Sequence, residues 1–243
     1  MSLLTIIQDV VDEFQGIARP SSVLGNTDTG VKGLLANANR EGRELAKAAP
    51  WTVLQRVHSF TTVASQAEYS LPSDFARISP DSEWDESTRF PLRGPVSMQG
   101  WRLLKVSLLG GGVVGKRYRV ARSESSATRV IFIDPTPSTT GETLSFYYIS
   151  DGWATDSSGT TLRTSWAADS DELLLDEDLY KLGVIIRYKR SKGLDFASEA
   201  AEYSDMLDRE KAQDRPAKTI EIANRRRSFL IDRANIPETI PTS

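Results

Sequence analysis

The chain has 243 residues, no cysteine and one histidine, and its 30 basic against 33 acidic residues leave a net charge of −3. This excludes disulfide staples, thiol catalysis and cysteine-ligated metals, and it argues against a body that holds nucleic acid by bulk charge. With 39% hydrophobic and 26% charged residues the composition is that of a globular protein, long enough to bury a real core in one large domain or two small ones.

The opening MSLLTIIQDVVDEFQGI lacks a basic leader, and Asp9, Asp12 and Glu13 interrupt its apolar run. It reads as neither a signal peptide nor a membrane span, and a soluble protein is expected. Leu3, Ile7, Val10 and Phe14 recur at helical spacing, predicting a helix that ends near Gly16. Thr27 or Asp28 caps a second helix, on which Val31, Leu35, Ala38, Gly42 and Leu45 share a face until Pro50 closes it.

From Trp51 the period changes to two. VHSFTTVASQAEYSL alternates across a short turn at Gln66 and predicts a hairpin. Pro72 has no N–H to give a ladder, so the second strand ends just after Leu71. Ser73 or Asp74 then caps a single helical turn that folds Phe75 and Ile78 back onto the hairpin. Tyr69, Leu71, Pro72 and Phe75 thus form a structural joint rather than a chemical site.

SEWDESTRFPLRG predicts a second small hairpin, and Pro95 with Ser97 starts a short helix carrying Trp101, Leu104 and Leu108. KRYRVAR, TRVIFID and ETLSFYYIS are rich in β-branched and aromatic residues and predict an antiparallel meander. The stretch 151–168 reads as an irregular loop exposing Trp153 and Trp166. Asp169 or Ser170 then caps a helix with Leu175, Leu179, Leu182 and Ile186 on one stripe. Its acids crowd the first turns and its bases the last, as the helix dipole favours. Gly193 stops it, and a partner helix carries Phe196, Ala200, Tyr203 and Leu207 towards Pro216.

The expected class is α+β. N-terminal helices (1–50) and C-terminal helices (169–215) join in a helical bundle, an antiparallel β region (51–168) is inserted between them, and an extended tail (216–243) follows.

Chemistry is sparse. His58 lies on an alternating strand without the companions of a triad or zinc site. Gly110, Gly112 and Gly115 satisfy GxGxxG, but a helix precedes and a strand follows, the reverse of a nucleotide-binding turn. NTDTG at 26–30 lacks the spacing and closing Glu of a calcium loop. The pairs Asp176 with Asp178 and Glu199 with Glu202 read as solvated helix faces. No catalytic, cofactor or metal site is expected. The sharpest charge feature is NRRRSFLIDR at 224–233. It reads as a solvated basic segment, as phosphate contacts, or as a tail that docks into a partner protein through Arg225, Arg226, Arg227, Phe229 and Arg233.

Taken in order, LLANANREGRELAKAAPWTVLQRVHSFTT, YSLPSDFARI, RFPLRGP, the stretch from DELLLDEDLYKLG to AEYSDML, and NRRRSFLIDRANIPET resemble the head-to-tail adaptor proteins of short-tailed bacteriophages, over nearly the whole chain. The ending NIPETIPTS departs from the glycine-aromatic finish of such tails. The resemblance implies a structural virion protein without enzymatic activity, assembled as a twelvefold ring between the portal protein and the next tail or nozzle protein. It implies a channel through which DNA passes in transit and a tail that reaches the portal; no direct contact with a membrane is expected, since no stretch of the sequence is apolar long enough to span one. Two other classes remain as alternatives. One is a glycan-binding or glycan-cleaving tail protein with Trp153 and Trp166 as a stacking surface. The other is a DNA-binding protein acting through the basic tail.

Overall fold

The computed structural model describes residues 1–13, 17–106, 115–123 and 125–214. In chain order they form α1 (Leu3–Glu13), α2 (Thr29–Ala48), β1 (Gln55–Thr61), β2 (Glu68–Ser70), β3 (Phe75–Ile78), β4 (Trp84–Asp85), β5 (Phe90–Pro91) and α3 (Met98–Val106). There follow β6 (Arg117–Arg122), β7 (Arg129–Asp134), β8 (Thr143–Ser150), β9 (Ala154–Thr155), β10 (Leu162–Arg163), β11 (Glu172–Leu173), α4 (Glu177–Lys192) and α5 (Ala197–Gln213). The class is α+β, with helices before and after an antiparallel β region. The proposed tail, with Arg225, Arg226, Arg227, Phe229 and Arg233, lies outside the described residues, as do Phe14, Gly16, Leu108 and Pro216.

The helices form as their patterns require. Asp28 caps α2, its Oδ1 accepting from the backbone N–H of Gly30 at 2.6 Å and Val31 at 3.3 Å. The buried stripe of α2 is Val31, Leu34, Ala38, Glu41, Gly42 and Leu45, so Leu34 rather than Leu35 lies fully inside. Gly193 ends α4 in the left-handed conformation with φ 70°, where a side chain would be strained. One core joins both chain ends: Leu3, Ile6 and Val10 of α1, Leu34 and Leu45 of α2, and Leu179, Tyr180 and Val184 of α4 belong to one cluster. Within it α4 touches α1, α2 and α5, and α5 packs through partly buried Tyr203, Met206 and Leu207.

The start of α4 differs from expectation. Neither Asp169 nor Ser170 caps a helix, which begins only at Glu177 with Asp176 as its cap. The intervening acids are engaged elsewhere. Asp169 accepts from the backbone N–H of Val23 and Leu24, and the buried carboxylate of Asp171 accepts from Ala167 and Ala168. The segment runs extended across the start of α1, with Leu3 N–H on Asp171 O at 2.9 Å and Leu173 N–H on Met1 O at 3.1 Å. Leu175 therefore enters the core from outside the helix, and the helical stripe is Leu179, Tyr180, Gly183 and Val184 rather than one through Leu182 and Ile186.

In the β region β8 is the organiser. The order β1-β8-β4-β5 defines one sheet with β3 also on β8; β2-β7-β6 and β10-β9-β11 form the others. The small hairpin β4–β5 is as expected. The hairpin expected between β1 and β2 does not form. β1 pairs along its whole length with β8, from Gln55 opposite Ile149 to Thr61 opposite Thr143, whereas three-residue β2 pairs with β7. A long partner offers β1 more ladder than β2 can. The hydroxyl of Tyr69, accepting from Val63 N–H at 3.1 Å and donating to Gln66 O at 2.9 Å, holds the connection as a closed loop.

The meander is likewise interrupted. β6 pairs with β7, but β8 belongs to the other sheet. Phe75–Ile78 is strand β3 rather than a helical turn. A register shift between Phe75 and Arg77 inserts one extra residue, so positions three apart reach the same core without a helix.

This second core comprises Tyr69, Phe75, Leu92, Tyr118, Ile131, Ile133, Leu144, Phe146 and Tyr148. β8 serves both cores: Leu144, Phe146 and Tyr148 face the β cluster, and Ile149 joins the helical one.

Candidate functional site

The joint is the first predicted site. Tyr69 and Phe75 are buried, Leu71 is half-buried, and the carbonyl of Pro72 accepts from Phe75 N–H at 3.1 Å. The Phe75 ring lies 6.3 Å from Phe146, edge on, and 5.8 Å from Tyr148, with the Arg129 guanidinium 5.8 Å away over its face. Asp74 ties the turn to β8: it accepts from Ser150 Oγ at 2.7 Å and Tyr148 Oη at 3.1 Å. Burial, and then the Asp74 carboxylate, push the Tyr148 hydroxyl up to about 12. These groups all satisfy one another, and the joint links the two larger sheets.

Beside Phe75 opens a cleft of about 480 Å³, with Tyr118, Pro95 and Ile78 among its lining. Tyr118 donates to the buried carboxylate of Glu83, and burial followed by that contact raises its hydroxyl far above the usual range. A Cβ on Gly94 would come within 2.6 Å of the Tyr118 carbonyl, so glycine is required for this approach. Next to it Lys116 bridges Asp85 at 2.5 Å and Glu142 at 2.9 Å. Burial opposes its charge, but the two carboxylates raise its pKa overall. These polar groups are locked to one another rather than aimed into the cleft.

In the helical half the polar centre is Glu41, almost wholly buried on α2. It accepts from Arg187 Nε at 2.5 Å and Tyr203 Oη at 2.6 Å, and Arg187 also reaches Glu44 at 2.8 Å. This network fastens α5 to α2 and α4. Gly183 makes room for it, since a Cβ there would stand 2.3 Å from the Glu41 carboxylate. The sequence signal was present but unread: Glu41 sits within the apolar stripe between Ala38 and Leu45.

Trp153 and Trp166 are not exposed. They are 0% and 4% accessible, at 5.1 Å edge to face, with Tyr180 closing the cluster. Each indole is satisfied inside: Trp153 Nε1 donates to Thr164 O at 3.1 Å and Trp166 Nε1 to Tyr180 Oη at 2.9 Å. Gly42 of α2 lies directly on the Trp153 ring. A sugar-stacking surface on these residues is overturned. Two apolar rings with donors that find internal partners gain more from the core than from water.

His58 stacks on Phe60 at 5.8 Å and meets Phe146 at 5.3 Å, and burial holds its pKa below the ordinary value. Gly110 and Gly112 lie outside the described residues, and Gly115 leads into β6. In NTDTG, Asn26 accepts from Asp28 N–H at 2.8 Å and Asp28 caps α2. Asp176 is the cap of α4, and Glu199 is paired to Lys189, which holds it at about 2. Among the described residues no group of three or more His, Asp or Glu is placed to hold a metal ion, and no helix is long and apolar enough to cross a membrane.

The described surface does carry unpartnered apolar side chains. On α3, Trp101 leans on Phe132 and Lys105 pairs with Asp134, while Met98, Leu103 and Val106 are exposed at 70%, 68% and 83%. On the five-stranded sheet Val57 and Tyr147 stand opposite each other, both at least half exposed. Compared with known families, residues 1–227 match the model described as SU10 adaptor protein. No curated protein matches the chain.

Proposed function

The chain belongs to the SU10 adaptor protein family, a family of bacteriophage structural adaptors, and from that premise we propose that it forms a ring joining the portal to the tail. As a structural adaptor it is a virion component that associates with other virion proteins. In the proposed arrangement twelve copies sit on the portal protein, at the portal–tail junction, after assembly in the host cytoplasm. The far side of the ring receives the downstream tail or nozzle protein, and DNA passes through the channel without being held. The net charge of −3 suits a wall along which DNA slides.

The observation that carries this reading is the family match across residues 1–227. The body supports it by its division of labour. The buried polar clusters around Glu41, Asp74, Glu83 and Asp85 bind their own neighbours, whereas apolar side chains of α3 and the Val57–Tyr147 pair remain for other chains to cover. The basic segment with Arg225, Arg226, Arg227, Phe229 and Arg233 is the portal contact, because arginines and aromatics are the side chains that anchor interfaces. Tyr69, Leu71, Pro72 and Phe75 hold the body rigid and touch no partner.

Replacing Arg225, Arg226 and Arg227 together with alanine tests the contact. Binding to the portal ring, followed by co-sedimentation, falls sharply while the free chain still unfolds in one cooperative thermal transition. A variant that binds as before removes the tail from the interface.

A further inference from the structure

Between the end of α1, α4 and α5 lies an open groove of about 500 Å³. Leu182 and Met206 give it an apolar floor, and Glu13, Asp178, Glu199 and Glu202 stand around it with Lys181 and Lys189. Both lysines are engaged, Lys189 with Glu199 and Lys181 with Asp9 at 2.8 Å. Among the described residues no cation stands at ion-pair distance from Glu13, Asp178 or Glu202. The cleft beside Trp51 is acidic too, with Asp176, Glu210 and Asp214 and no base in its lining, but at about 120 Å³ it is too small for a segment with several large side chains. The two remaining clefts are closer to balance. Arg40, Arg187 and Arg190 offset Glu41 and Glu44 beside α2, and Arg77 and Arg129 face Asp81 and Glu83 beside Phe75.

Three carboxylates without a direct ion pair, Asp178 feeling Lys181 only at longer range, stand over an apolar floor and suit a ligand that is cationic and apolar at once. The chain itself carries such a segment beyond the described residues: three arginines followed by Phe229, Leu230 and Ile231. Its tether starts close by. Asp214 is fixed at the body, its Oδ2 accepting from Thr52 N–H at 2.9 Å and its carbonyl from Thr52 Oγ1 at 3.2 Å. Met206 precedes Asp214 on α5 by a helical distance of about 12 Å. The stretch from Asp214 to Arg225 spans up to about 36 Å when extended, so the segment returns to the groove with length to spare.

We infer that in the free chain residues 225–233 fold back into this groove, the arginines meeting Glu13, Asp178 and Glu202 and Phe229 covering Leu182 and Met206. The groove then holds the tail until a partner draws it out, and it sets how available the tail is. The inference concerns the free chain alone and stands whether or not the portal is the partner that takes the tail.

The absence of natural cysteines makes the test direct. In the full-length chain, Met206→Cys with Phe229→Cys under mild oxidation forms a disulfide within one chain about tenfold faster than the control pair Met206→Cys with Ser243→Cys, because docking raises the local concentration beyond that of the tether alone. Adding Asp178→Lys and Glu202→Lys, or about 0.5 M salt, brings the rate down to the control. A second pair, Glu202→Cys with Ser228→Cys, reads the same contact from an exposed position should the Met206 variant fold poorly. Equal rates for test and control pairs overturn the inference. So does a disulfide that forms only between two chains, which assigns the groove to a neighbouring copy.

Discussion

The helical core and the β core solve the same problem with different means. The helical core is assembled from stripes that recur within each helix, closed by Trp153, Trp166 and Tyr180 and pinned by one buried charge network at Glu41. The β core depends on partners far apart in the chain. β1 meets β8, β2 meets β7, and the ring of Phe75 reaches Phe146 and Tyr148 through the pairing of β3 with β8. Because β8 contributes to both cores, the difference in construction does not imply independence. Loosening either core should be felt in the other.

The largest effects test that coupling. Trp153→Ala empties the centre of the helical core and Phe146→Ala that of the β core, and each lowers stability by about 3–5 kcal/mol in urea unfolding. Both variants retain one transition seen alike by tryptophan fluorescence and far-ultraviolet circular dichroism. Two separated transitions in either variant break the link through β8. Next, Tyr69→Ala or Phe75→Ala removes a ring of the joint and costs about 3 kcal/mol. Unchanged thermal unfolding would show that the joint does not hold the sheets together.

Glu41→Gln sharpens the helical side. It keeps an acceptor for Tyr203 but not the charge facing Arg187, and stability falls by about 2 kcal/mol, the scale of a hydrogen bond to a charged group. Hydrogen exchange then rises first in α5, which that network fastens.

A smaller effect separates the cores by pH. Burial lowers the pKa of His58 in the folded chain, so the unfolded chain binds the proton more readily. The stability given by a neutral His58 is complete above its ordinary value of about 6.5 and is lost as the pH falls through its lower folded value. In His58→Gln that part of the acid dependence disappears; an identical pH profile contradicts the assignment. Smallest for the fold is Leu103→Glu on α3, which changes stability by less than about 0.5 kcal/mol because the side chain is exposed. In the proposed ring, where α3 would be a contact, the same change weakens assembly as read by native mass spectrometry.

The same contrast decides what the sequence made legible. The Asp28 cap, the stop at Gly193 and the faces of α1 and α2 are local, and residues a few positions apart determine them. Strand positions were also readable from alternation. Their partners were not, because alternation says which face a residue takes and nothing about which strand lies beside it. Hence β1 and β2 looked like one hairpin. Phe75 and Ile78 looked helical because a bulge imitates a spacing of three. Trp153 and Trp166, set in a polar stretch, looked exposed because the helix face that covers them, with Gly42 and Ala38, lies more than a hundred positions earlier. Asp169 and Asp171 had the chemistry of caps but serve backbone amides outside any helix. As for the candidate site, order of motifs led to the adaptor family, while the acidic groove needed α1, α4 and α5 in place.

The most direct test of the account is native mass spectrometry of this protein mixed with the portal ring encoded by the same genome. The account predicts a discrete complex with one copy of the chain for each portal subunit. A chain that stays free at concentrations well above those of the portal contradicts it.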